Sequence, residues 1–224
     1  ALDRVLSKDN ARRQRILFER TSRLMPIPAG LRIERTALDG VPAEVLTPRN
    51  DRGCGALMYL HGGGYLIGSP RTHRAMVARL ALHARMRAYL PDYRLAPEHP
   101  FPAALEDSLA AYRWLLARGF PPRSIVIGGD SAGGNLTLAL LLALRDADEP
   151  LPAAAVCLSP LTDAVSSGGS RLSRRQADPI FGNLAHPEKG IEIDFIASSA
   201  RTMIKYHRII QFVANLFRCA IETI

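Results

Sequence analysis

Cysteine is scarce in this chain: three in 224 residues, at Cys54, Cys157 and Cys219. Their number is odd, their spacing is wide, and no two form a C-x-x-C pair. That usage speaks against a disulfide framework and against a cysteine-based zinc site. A reducing cytoplasm suits it best. Long apolar runs are missing as well. None reaches the ~18 residues of a membrane span. The opening Ala1-Leu2-Asp3-Arg4-Val5 lacks the basic and apolar regions of a secretory leader. Acids are outnumbered, with 21 Asp and Glu against 29 Lys and Arg, a formal net charge of +8. The excess sits on arginines spread through helical stretches, such as Arg12, Arg13, Arg15, Arg20 and Arg23. Neither interleaved aromatics nor a nucleic-acid motif accompanies them, so they read as solvated basic surface and no nucleic-acid partner is expected. Repeats and low-complexity segments are absent too. What remains is a chain long enough for one domain, 47% hydrophobic and able to bury a sizeable core.

The chain is organised around one stretch. Ile125, Val126 and Ile127 form the short apolar run of a strand buried on both faces. Gly129-Asp130-Ser131-Ala132-Gly133 follows and matches G-x-S-x-G. From Gly133 the residues turn helical, dense in Leu and Ala up to Leu144. Strand, glycine-flanked serine and helix are the context of a nucleophile elbow. The glycines fit a turn where crowded backbones leave no room for a Cβ. The helix N-terminus behind Ser131 offers free N–H groups and a positive dipole end to a developing oxyanion. A bare G-x-S-x-G also fits a glycine-rich turn with a solvated serine. Here a second motif stands upstream: the apolar run 57–60 leads into His61-Gly62-Gly63-Gly64-Tyr65. An HGGG-type loop supplies the other half of an oxyanion hole. Two glycine motifs, each after a buried strand and in this order, favour chemistry over a plain turn.

A third block, Asp92-Tyr93-Arg94-Leu95-Ala96-Pro97-Glu98, completes the set. Together the three motifs resemble the hormone-sensitive-lipase-like branch of the α/β-hydrolases, the esterases that carry HGGG and GDSAG. The resemblance covers about residues 1–181. It implies an α/β-hydrolase fold, a mostly parallel sheet with helices on both faces. It implies a carboxylic-ester hydrolase for small acyl esters, with no metal and no cofactor. Ser131 is then the nucleophile. Gly62 or Gly63, with Ala132, donates N–H groups to the oxyanion, and His61 and Gly64 complete the loop motif. N-terminal helices, expected over residues 2–25, contribute to a cap in that family.

The remaining elements follow from local pattern. Residues 31–37 and 41–47 flank Asp39-Gly40, a hairpin signal, and Pro42 confines the second strand to an edge or its first residues. A helix is expected from Pro70 to about Ala84, with Met76, Leu80 and Leu82 as its apolar members, then a short strand over 87–90. Another helix is expected over 102–118, opened by Pro102 and closed by Gly119. The nucleophile strand is expected over 124–128, its helix over 133–145, and a further strand over 153–158. Arg94 and Glu98 read as an ion pair locking their loop. Asp130 reads as a hydrogen-bonding or ion-pairing group under the elbow. Tyr65 suits either the acyl pocket or an anchor for the loop.

Past Phe181 the composition changes. Eight isoleucines, from Ile191 to Ile224, outnumber those of the preceding 181 residues. A tail of different origin is expected over 182–224, by frameshift, fusion or truncation of the coding sequence. The family order is Ser, then Asp, then His on loops after two further strands, and no such blocks stand there. The last strands are therefore expected to be missing and the triad Asp and His are unknown. Asp178 is not at the triad position. His73, His83 and His99 lie in segments whose family role is structural, and His186 and His207 lie in the tail. A catalytically silent hydrolase-fold fragment is the alternative. The spacing of Ile209, Ile210, Val213, Leu216 and Phe217 predicts an amphipathic helix over 203–224. That helix, or an open sheet edge, gives a route to self-association.

Overall fold

The computed structural model describes residues 8–51, 53 and 55–162. The chain divides into two units, Ala1–Leu161 and Thr162–Ile224, and the description below is of the first. The expected 203–224 helix, Asp178, His186, His207, Cys219 and the change of composition past Phe181 lie outside the described residues. So do Cys54 and positions 2–7 of the first helical stretch.

The described chain runs as helix α1 (Lys8–Ser22), strands β1 (Leu31–Leu38), β2 (Val41–Pro48) and β3 (Ala56–Leu60), helix α2 (Pro70–Ala84), strand β4 (Arg87–Pro91), helix α3 (Ala103–Ala117), strand β5 (Ile125–Asp130), helix α4 (Ala132–Asp146) and strand β6 (Ala154–Leu158). The strands form one sheet in the order β1-β2-β4-β3-β5-β6. β1 and β2 are antiparallel to their neighbours, whereas β4, β3, β5 and β6 run parallel. Strands joined through helices give the parallel part, a tight turn gives the antiparallel β1–β2 pair, and β2 meets β4 antiparallel with β3 and α2 between them in the chain. Asp39 and Gly40 turn the hairpin with φ of 51° and 81°. Two successive positive φ values are what a type I′ turn requires, and Asp-Gly supplies them at low cost. β2 is an interior strand, so Pro42 is tolerated by position: it pairs with Ala37 and stands just before the first β4 partner, at Ala43.

β3 sits near the middle of the sheet and is buried along its whole length. Alternate residues serve opposite faces. Met58 and Leu60 join Ile125 and Ile127 against Ala111, Tyr112 and Leu115 of α3 and Leu136, Leu140 and Leu144 of α4. Leu57 and Tyr59 join Leu46, Ala88 and Leu90 against Val77, Ala78 and Ala81 of α2. Helices therefore cover both faces. The expected apolar face of α2 needs correction. Leu80 is 39% exposed, and Met76 and Leu82 are only partly buried. Thr72, His73, Ala75, Val77, Ala78 and Ala81 form the buried face instead. Small side chains let this helix lie close to the sheet, where large ones would overpack it. The elbow strand runs two residues further than expected, to Asp130, and α4 begins at once on Ala132. Among the described residues β6 is an outer strand, with Val156 37% and Leu158 40% exposed. No helix among them is long and apolar enough to cross a membrane.

Candidate active site

Ser131 caps α4 in a conformation that side-chain-bearing residues avoid, φ 50° and ψ −117°. Such a backbone costs on the order of 1–3 kcal/mol and persists only where its surroundings enforce it. The enforcement is visible. Ser131 N–H donates to Leu158 O at 2.9 Å. Its own carbonyl accepts from Asn135 N–H and Leu161 N–H, each at 3.0 Å. Glycines let the backbones meet. A Cβ on Gly129 would strike the Gly133 and Leu60 carbonyls, and one on Gly133 would strike the carbonyls of Leu60 and His61. The half-buried Ser131 thus stands at the head of a 15-residue helix, where the N-terminal N–H groups gather.

The 61–68 loop is tied to this elbow at two points. Gly62 N–H donates to Asp130 Oδ1 at 3.0 Å, and Tyr65 O–H donates to Asn135 Oδ1 at 2.6 Å. The first contact corrects one expectation. The Gly62 N–H is committed to a carboxylate, so it is not a free oxyanion donor. Among the described residues no such commitment falls on Gly63, whose φ is 127°, or on Gly64, whose φ is 63°. Gly63 is fixed by its own turn: its carbonyl accepts from Leu66 N–H at 3.1 Å and Ile67 N–H at 3.0 Å. A Cβ there would meet the Ile67 carbonyl. Tyr65 acts as an anchor for the loop.

Asp130 does its work below the elbow. Besides Gly62 it accepts from the Tyr59 hydroxyl at 3.0 Å, and His73 Nε2 lies 3.3 Å from Oδ1 and 3.4 Å from Oδ2. Burial alone would raise the carboxyl's pKa. The His73 hydrogen bond and charge, the Tyr59 hydroxyl and the Gly62 N–H outweigh it and hold the group below its ordinary value. This matches the expected structural role of the residue.

His61 is not a base for Ser131. It is 1% exposed, its ring stacks on Tyr93 at 4.2 Å, and its Nδ1 lies 2.9 Å from Gly62 O. A carbonyl can only accept, so the proton is assigned to Nδ1. Burial pushes the imidazole down to about 3, which keeps it neutral. Tyr93 O–H donates to His61 O at 2.5 Å and fixes the strand end that precedes the loop. His73 is engaged with Asp130 and with Thr72 Oγ1 at 2.8 Å, and His83 and His99 are exposed. Among the described residues no histidine is hydrogen-bonded to the Ser131 hydroxyl. None of their His, Cys, Asp and Glu side chains gather in threes that could hold a metal.

The expected Arg94–Glu98 pair is also corrected. Arg94 turns toward α3, where its N–H and Nε donate to Asp107 at 2.8 and 2.9 Å and its Nη2 to Glu106 at 3.0 Å. Glu98 instead receives Arg15 of α1 at 2.7 Å. Tyr59, His73, Asn135 and Arg15 carried no motif in the sequence. Tertiary proximity alone brings them to the site.

A family profile described as the alpha/beta hydrolase fold matches residues 57–201. The chain belongs to this family. A crystal structure of an esterase from the bacterial hormone-sensitive lipase family superposes with a TM-score of 0.77 at 43% identity, over 88% of this chain and 68% of that one. This places the α/β-hydrolase described here in the hormone-sensitive-lipase-like branch, whose members are serine ester hydrolases. A crystal structure of an esterase/lipase from an uncultured bacterium gives a TM-score of 0.73 at 43% identity, over 77% of this chain and 58% of that one. An acetyl-hydrolase of Streptomyces hygroscopicus is 51% identical over 119 residues, 53% of this chain and 40% of its own length. An esterase of Acinetobacter venetianus is 34% identical over 167 residues, 75% of this chain and 55% of its own. The chain spans about half the length of the curated relatives it matches.

Proposed function

We propose that this α/β-hydrolase chain carries the nucleophile and oxyanion half of a carboxylic-ester hydrolase for small acyl esters. The observation that carries the reading is the strained Ser131 at the N-terminus of α4, with the glycine loop tied to the same elbow through Gly62 and Asp130. Backbone strain held at one serine by its surroundings is the kind of outlier that clusters at reactive sites.

Ser131 Oγ attacks the ester carbonyl as a histidine takes its proton. The tetrahedral oxyanion is held by the N–H groups of Gly63 and Ala132, with Gly64 beside them, at the positive end of α4. The histidine then protonates the leaving alcohol, and water releases the acyl group by the same route. Each oxyanion donor is worth about 10²–10³ in rate. The histidine and its orienting acid are not among the described residues. The alternative reading is a hydrolase-fold chain that binds esters through the loop and serine without turnover, because no Asp and His blocks of the family order stand over residues 182–224. The cysteine usage supports a cytoplasmic setting. Among the described residues β6 is an outer strand, which supports self-association through that edge; the apolar spacing over 203–224 supports that segment as the other route.

Hydrolysis of a short-chain activated ester by the full chain and by Ser131→Ala separates the two readings. Burst kinetics abolished by the substitution support the hydrolase. Weak activity equal in both proteins, the residual ~10³–10⁴-fold acceleration that remains without a triad, supports the silent fragment.

A further inference from the structure

The glycine loop has a third tether, and it comes from outside the sheet. Arg15, midway along α1, reaches across to it. Its Nε donates to Leu66 O at 2.7 Å and its Nη2 to Ala96 O at 2.7 Å. Nη1 and Nη2 hold the Glu98 carboxylate at 3.0 and 2.7 Å. Ala96 N–H in turn donates to Tyr65 O at 2.9 Å. One guanidinium therefore closes a ring through Tyr65-Leu66, Ala96 and Glu98. Leu66 lies in the turn closed on the Gly63 carbonyl, so a pull on Leu66 is a pull on Gly63. The same helix holds the far end of the loop, where Ser69 O–H donates to Glu19 at 3.1 Å. Three acceptors around one planar fork suit arginine. A lysine ammonium reaches them only in part.

We propose that Arg15 is a positioning residue for the oxyanion loop: through it α1 sets the Gly63–Ile67 turn. Its consequence for catalysis rests on the ester-hydrolase reading above, while the mechanical link does not. In complete form the device makes oxyanion stabilisation depend on docking of the N-terminal helix.

The test is hydrogen exchange on the full chain, read by mass spectrometry, for the unchanged protein, Arg15→Ala, Arg15→Lys and Glu98→Gln. The Leu66 and Ile67 amides report on the turn, because both donate to Gly63 O. In Arg15→Ala their exchange is expected to rise ~10–100-fold, the effect of losing hydrogen bonds from a charged group. Peptides from β3 and β5 should keep their rates, and Arg15→Lys and Glu98→Gln should fall between. Unchanged loop exchange in Arg15→Ala overturns the proposal. So does an equal rise across the loop, β3 and β5, which would mark Arg15 as a general stabiliser. Fluorophosphonate labelling of Ser131 provides the functional readout. If the unchanged protein reacts, Arg15→Ala should react several-fold more slowly, with partial rescue by Arg15→Lys. An equal rate in both sinks the proposal. If the unchanged protein does not react, the ester-hydrolase reading fails and the exchange result still decides the role of Arg15.

Discussion

Replacing Asp130 by Asn and by Ala should have very different costs, and the difference can be worked from the contacts. Both the Gly62 N–H and the Tyr59 hydroxyl donate to the same oxygen, Oδ1, at 3.0 Å. An asparagine keeps an acceptor there for both donors, while His73 loses its carboxylate partner. The loss is then one charge-assisted bond exchanged for neutral ones, about 1 kcal/mol. Alanine removes every acceptor. Gly62 N–H, Tyr59 O–H and His73 are left in a crowded site, and an unsatisfied buried polar group costs about 1–3 kcal/mol. With partial access of water the total for Asp130→Ala is ~3–5 kcal/mol, a fall in melting temperature on the order of 10 °C for a chain of this size. Urea unfolding of the three proteins measures both values. The pH dependence has a definite sign. Asp130 has a lower pKa folded than its ordinary 3.8, so its contribution is complete above that ordinary value and lost as pH falls through the folded one. The gap between the unchanged protein and Asp130→Asn should therefore narrow as pH falls below about 4. Equal stabilities for Asp130→Ala and Asp130→Asn would refute the claim that this carboxylate bridges elbow and loop.

Further outcomes follow from the same geometry. Gly133→Ala forces a methyl onto the Leu60 and His61 carbonyls; it should cost ~1–3 kcal/mol or more and lower the yield of folded protein in circular-dichroism melts. Ser131→Gly removes a strained φ of 50° and should stabilise by about 1 kcal/mol in the same melts, whereas an unstrained serine would give no gain. Deleting residues 203–224 should lower solubility and change the mass seen in light scattering if that segment takes part in the proposed self-association. A monodisperse monomer of unchanged stability after that deletion would contradict the proposed association.

Local rules reached the sheet and most helices. Asp39-Gly40 announces its turn because few residues tolerate two positive φ values in succession. Ile125 to Leu144 announces strand, elbow and helix because both periodicities and the glycines fall within twenty residues. Three readings needed the fold. Arg94 and Glu98 are four apart in a loop, a spacing that suggests a pair. The chain instead turns Arg94 toward α3 and Glu98 toward α1, so their partners are Asp107 and Arg15. The face of α2 is buried through small residues because the helix lies close to β2 and β4, a distance no sequence pattern states. Gly62 carries the motif of an oxyanion donor, yet its N–H is used by a carboxylate 68 positions away. Motifs name the residues at a site, but which hydrogen bonds those residues have left to offer is a property of the packed structure.

The central claim is that Ser131, held by the elbow and served by the Gly63 and Ala132 N–H groups, is the reactive nucleophile. The most direct measurement is intact-mass and peptide mapping after treatment of the full chain with a fluorophosphonate. The account predicts a single adduct, carried by Ser131 and lost in Ser131→Ala. An adduct on another residue, Ser159 for instance, or one that persists in Ser131→Ala, would contradict it.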